Sequence, residues 1–97
     1  ARSIFSDAMK AVKIRVTGRV QGVFYRASAK DAAVQLMLKG FAQNQPDGSV
    51  YIEVEGDEEN LNSFIAWCKH GPPRASVSNV VVEETGIKKF QRFEIRR

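Results

Sequence analysis

Cysteine and histidine are nearly absent. Cys68 is the only cysteine in 97 residues, so no intramolecular disulfide can form, and the only histidine, His70, stands beside it without the spacing of a zinc site. Neither a disulfide nor a structural metal is expected to hold the fold, and no cofactor is called for. No apolar run approaches the ~20 residues of a membrane helix, and the N-terminus lacks the apolar stretch of a secretory signal. A soluble, cytoplasmic protein is the expectation. The chain is also too short for two independent cores, which leaves one domain.

What the sequence does have is a regional charge. The formal net charge is +4, yet residues 1 to 30 hold seven Lys/Arg against one acid, while residues 31 to 66 hold one Lys against seven acids. Positive charge is thus concentrated in the first third, where an anionic partner would be met, although a merely solvated basic face has the same signature. Ala1–Ala8 shows no pattern ahead of Met9 and reads as a flexible extension or cloning remnant, with the folded domain over 10–97.

From Lys10 to Thr17, Val12, Ile14 and Val16 alternate with Lys13, Arg15 and Thr17, the two-residue period of a half-buried strand. A loop with Gly18 and Gly22 follows. Arg26–Leu38 then reads as a helix, with Tyr25, Ala29, Ala32, Ala33 and Leu36 at helical spacing and Gly40 just past its expected end. Phe41–Asn44, the turn Gln45-Pro46-Asp47-Gly48 and the alternating Val50, Ile52 and Val54 predict a hairpin. Asp57 suits an N-cap, Glu58 and Glu59 suit a helix N-terminus, and Leu61, Phe64, Ile65 and Cys68 repeat at i, i+3, i+4 and i+7. That second helix is expected to stop at Gly71-Pro72-Pro73. Val77–Val82 and the pair Phe93 and Ile95 supply two closing strands.

The order β-α-β-β-α-β, with a short last strand, predicts an α+β ferredoxin-like split βαβ sandwich: an antiparallel sheet with two helices on one face. A βαβ crossover makes the first two strands parallel, with the third antiparallel between them. The glycine loop, the start of the first helix and Asn44 should then converge at one sheet edge.

Thr17–Arg26 is chemically suited to a phosphoryl group. Backbone N–H groups can curl into an anion nest, the helix dipole adds positive charge, and the Arg26 guanidinium offers a forked donor matched to phosphate oxygens. The stretch resembles the acylphosphatase signature G-x-V-Q-G-V-x-[FY]-R through Gly18, Val20, Gln21, Gly22, Val23, Tyr25 and Arg26. A second motif of that family is similar to Gly40-Phe41-Ala42-Gln43-Asn44 with Asp47-Gly48-Ser49-Val50. Gly71-Pro72-Pro73-Arg74-Ala75 and Phe93-Glu94-Ile95-Arg96 resemble further landmarks, so the likeness spans Lys10 to Arg97. Tyr25 stands where many members have Phe, and Phe41 where many have Trp or Tyr.

The resemblance implies an enzyme that hydrolyses acyl phosphates to a carboxylate and inorganic phosphate, without metal, by in-line attack of a water. Backbone groups of Gln21, Gly22, Val23, Phe24, Tyr25 and Arg26 would cradle the phosphate, Arg26 would bind it, and Asn44 would orient the water. The expected partner is a small acyl phosphate, with inorganic phosphate or sulfate competing; the expected state is a monomer that binds neither nucleic acid nor membrane.

Three other readings find weaker support. Cys68-Lys69-His70-Gly71-Pro72-Pro73-Arg74 fits the C-x-x-G-x-x-R spacing of cysteine-dependent phosphatases, but places Cys68 on a helix and removes two N–H donors through prolines. An RNA-binding ferredoxin-like module, the alternative function, finds a partial motif in Lys39-Gly40-Phe41-Ala42 that breaks down at Gln43, Asn44 and Pro46. A copper chaperone of this fold would need a C-x-x-C pair.

Overall fold

The structure, a computed structural model, describes residues 9–96, so the expected extension at Ala1–Ala8 lies outside the described residues. The elements follow in the order β1 (Met9–Arg19), α1 (Tyr25–Gln35), β2 (Lys39–Asn44), β3 (Val50–Asp57), α2 (Glu58–His70), β4 (Ser76–Thr85) and β5 (Phe93–Arg96). They build one sheet in the strand order β4-β1-β3-β2-β5. As the crossover argument requires, β3 lies between β1 and β2 and runs antiparallel to both.

The ferredoxin-like arrangement stands, with one refinement to the expectation of an antiparallel sheet. The last strand, β5, pairs parallel with β2, so the sheet is mixed. Strand direction explains it. β4 lies antiparallel beside β1 at one edge; the chain then reverses and lands at the other edge, where a strand antiparallel to β4 must run with β2. The connecting segment is held by a buried carboxylate, Glu55, which accepts from Lys88 N at 2.8 Å and Phe90 N at 2.9 Å.

Alternation decides which face of the sheet is covered. Val12, Ile14 and Val16 of β1, Ala42 of β2 and Val50, Ile52 and Val54 of β3 meet Tyr25, Ala29 and Ala33 of α1 and Leu61, Phe64 and Cys68 of α2 in one core, while Lys13 and Arg15 stay exposed. Among the described residues no helix is long and apolar enough to cross a membrane.

The two helices end differently from one another. α2 follows its sequence signals: the Asp57 side chain accepts from Glu59 N at 3.0 Å, with Glu58 and Glu59 in the first turn and Lys69 and His70 in the last. α1 departs from the expected Arg26–Leu38, stopping at Gln35 with Leu36 as C-cap. Met37 takes the left-handed φ of 56° usually given to glycine, Met37 N bonds Val34 O at 3.1 Å, and Leu38 N bonds Ala33 O at 2.8 Å. This paired closure is the Schellman pattern, and it folds the buried Leu38 back under the helix. Gly40, expected as the helix stop, lies within β2.

Candidate active site

The site begins where β1 breaks away from its neighbour. The β1–β4 register shifts between Thr17 and Gly18. Gly18 has φ +122°, and a Cβ there would lie 2.3 Å from Ser76 O and 2.6 Å from Ser78 N, both backbone atoms. Only glycine lets the chain leave the sheet so close to β4. The loop that follows is pinned from both ends. Gln21 Nε2 donates to Gln45 O at 2.8 Å and to Ser49 O at 2.9 Å, tying the loop to the β2–β3 turn. Tyr25 is buried, its hydroxyl donates to Cys68 O at 2.8 Å, and its ring lies 5.3 Å from that of Trp67. Burial pushes the Tyr25 phenol far above its ordinary value, so it serves as a neutral anchor.

Between these anchors lies the start of α1, and the chain caps it with nothing of its own. Its N-cap is Phe24, in a left-handed conformation with no side-chain cap, and its first turn contains no acid. The first backbone bond runs from Ser28 N to Phe24 O at 3.0 Å, so the amides of Tyr25, Arg26 and Ala27 have no acceptor within the helix. Aligned amides at the positive end of a helix attract an anion. Every one of these features is reversed at α2, where the protein's own carboxylates occupy that end.

A cavity of about 290 Å³ opens at this point, lined by Val20, Gly22, Phe24, Tyr25, Arg26, Ala27, Asn44 and Ile95. It brings Arg26 and Asn44 together with three more of the loop positions expected from the sequence, Gly22, Phe24 and Tyr25. Gln21 and Val23 are not among its lining residues; both line a neighbouring concavity of about 440 Å³ with Arg19, Arg74 and the shared Gly22. The Gln21 side chain is a tether, and Val23 packs against the core. Arg26 Nη1 donates to Arg96 O at 2.7 Å, which orients the guanidinium and uses one of its five N–H donors. The Arg96 guanidinium sits 4.0 Å from the centroid of Phe41. Asn44 ends β2 opposite Val50, and its Oδ1 is buried with no hydrogen-bond partner among the described residues. A buried acceptor without a donor is costly unless a ligand or water completes it.

Val20, Ala27, Ile95 and the Arg96 carbonyl were not among the residues expected from the sequence. The Arg96 carbonyl is a main-chain acceptor, which no residue type announces; Ile95 reads as an ordinary strand residue until its neighbours are known.

The rival chemistries lose their footing in the same region. Cys68 is buried within α2, and that burial pushes its thiol up to about 12, the reverse of what a nucleophile requires. Phe41, the aromatic residue of the partial RNA motif, is only 6% exposed and is covered by Arg96 and Phe90. It has no free face for a base.

Fold and cavity together define a small ferredoxin-like α+β protein with an amide-lined, arginine-bearing pocket at one edge of its sheet. The acylphosphatase family model matches residues 12–95. An acylphosphatase of Methylococcus capsulatus is 46% identical over 90 residues, covering 92% of this chain and 98% of that protein. One of Thermotoga petrophila is 48% identical over 88 residues, covering 91% and 98%. The crystal structure of acylphosphatase from Bacillus subtilis superimposes with a TM-score of 0.88 at 36% identity, covering 92% of this chain and 99% of that one. The chain belongs to the acylphosphatase family.

Proposed function

We propose that the protein hydrolyses acyl phosphates, with the phosphoryl group seated on the amides that open α1 and gripped by Arg26, and with the attacking water held by Asn44. One observation carries the reading: the uncapped start of α1, the positioned Arg26 guanidinium and Asn44, whose amide oxygen has no partner among the described residues, meet at the same cavity. Family membership and relatives that bear the name acylphosphatase support it.

The chemistry asks little of the protein. In an acyl phosphate dianion, water attacks phosphorus in line as the bond from phosphorus to the acyl oxygen breaks, giving a carboxylate and a dihydrogen phosphate monoanion. The leaving carboxylate has a conjugate acid of pKa about 4, so no acid need protonate it. Charge on the equatorial phosphoryl oxygens is met by Arg26 and the amides, fixed in place before the reaction starts. Asn44 cannot take a proton at neutral pH; its side-chain amide hydrogen-bonds the water and aims it, while one proton of the water passes to a phosphate oxygen. The acting unit is the single chain, and inorganic phosphate or sulfate competes for the cradle.

The test is release of inorganic phosphate from benzoyl phosphate by the purified protein. Turnover well above the buffer rate, undiminished by a chelator, is expected. A rate equal to buffer would overturn the activity, and chelator sensitivity would overturn the metal-free mechanism.

A further inference from the structure

We propose that Phe24 and Ile95 seat the acyl part of the substrate, so that the enzyme selects acyl phosphates with apolar acyl groups. The inference rests on the acyl phosphate reading above and names the class of substrate taken there.

Phe24 is 73% exposed, takes part in no ring pairing among the described residues, and holds φ at +63°. A bulky residue disfavours that conformation, which persists only where its surroundings enforce it. The neighbours do so: Val23 packs against the core on one side and Tyr25 is buried in it on the other, leaving Phe24 on the cavity wall with its ring toward solvent. Ile95 arrives from a different element. Two residues earlier on β5, Phe93 is buried at 3% exposure, yet Ile95 on the same face is 43% exposed, because there the strand has run beyond the core and borders the cavity.

Single exposed apolar residues are ordinary on a protein surface. What distinguishes this pair is that both border the cavity holding Arg26 and Asn44. That cavity is larger than a five-atom phosphate fills, at about 290 Å³, which leaves room for an acyl group beyond the phosphoryl seat. A substrate with a charged head and an apolar body matches a pocket that offers both polar donors and exposed hydrocarbon. An acyl group bearing its own carboxylate would instead want Arg19 and Arg74, and these line the neighbouring concavity, not the cavity that Phe24 and Ile95 border.

The experiment compares kcat/KM for benzoyl phosphate and acetyl phosphate in wild type, Phe24→Ala, Phe24→Leu and Ile95→Ala. Wild type should prefer the benzoyl substrate. The benzoyl-to-acetyl ratio should fall about tenfold in Phe24→Ala, the scale of hydrophobic pocket discrimination, fall less in Ile95→Ala, and be largely kept in Phe24→Leu. Dividing each variant's ratio by that of wild type cancels the intrinsic reactivities of the two anhydrides. Should Phe24→Ala fold poorly, Ile95→Ala decides alone. An unchanged ratio in the alanine variants, or equal losses on both substrates, would overturn the acyl seat while leaving the hydrolase standing. A wild type inert toward both substrates would overturn the activity itself.

Discussion

The roles proposed for Arg26 and Asn44 differ in a way that single substitutions separate. On the proposed mechanism Arg26 meets charge in both the bound and the reacting phosphoryl group, so Arg26→Gln should lower turnover by on the order of 10²–10³-fold and weaken inhibition by inorganic phosphate as well. On the same proposal, Asn44 touches only the water. Asn44→Ala should therefore lower kcat on a similar scale of about 10²–10³-fold while inhibition by phosphate stays close to that of wild type; a parallel loss of phosphate inhibition would return Asn44 to the cradle. Both residues stood out in the sequence through the motifs around them, and the structure does place both on one cavity. The supports of Arg26 were not legible. It is oriented by the carbonyl of Arg96, whose guanidinium in turn lies over Phe41. A carbonyl belongs to every residue alike, and no spacing rule links positions 26, 41 and 96.

At the scale of elements, the loop between β1 and α1 borrows its shape from the hairpin next to it. Gln21 makes two hydrogen bonds to turn carbonyls; Gln21→Ala removes both, and urea unfolding should show a loss of about 1–2 kcal/mol at roughly 1 kcal/mol per bond. The turn has its own lock: Asp47 Oδ1 accepts from Ser49 Oγ at 2.6 Å and from Ser49 N at 2.9 Å. The hydrogen bonds from the Ser49 side chain and backbone hold the Asp47 carboxyl below its ordinary value of 3.8. A lowered folded-state pKa gives stability that is present above the unfolded value and is lost as pH falls through the folded one. Asp47→Ala should accordingly melt below wild type at neutral pH, with the gap closing as pH drops under 3.8; a gap that persists in acid would assign the loss to turn geometry alone. The hairpin and the Asp57 cap were readable because turns and caps are local. The end of α1 was not, since a Schellman closure with Met37 at its left-handed position breaks the expectation of glycine.

For the whole molecule, strand alternation made the sandwich legible, because Val12, Ile14 and Val16 can share a core only if one sheet face is covered. The parallel β5 was beyond reach: four residues carry too weak a pattern to say which edge they join, and the deciding contacts, Gly40 N to Arg92 O at 3.0 Å and the Glu55 bonds to the connecting segment, are long-range. That final strand delivers Ile95 to the cavity and the Arg96 carbonyl to Arg26, so the least legible element completes the cavity wall. The assembled molecule makes one claim above all, that the start of α1 is a built anion seat. Titration of ¹⁵N-labelled protein with inorganic phosphate tests it directly. The amide resonances of residues from Gly22 to Ala27 should move together and saturate, with the Arg26→Gln variant responding only weakly. Saturating shifts that spare those amides, or that gather instead around Arg19 and Arg74, would contradict the account.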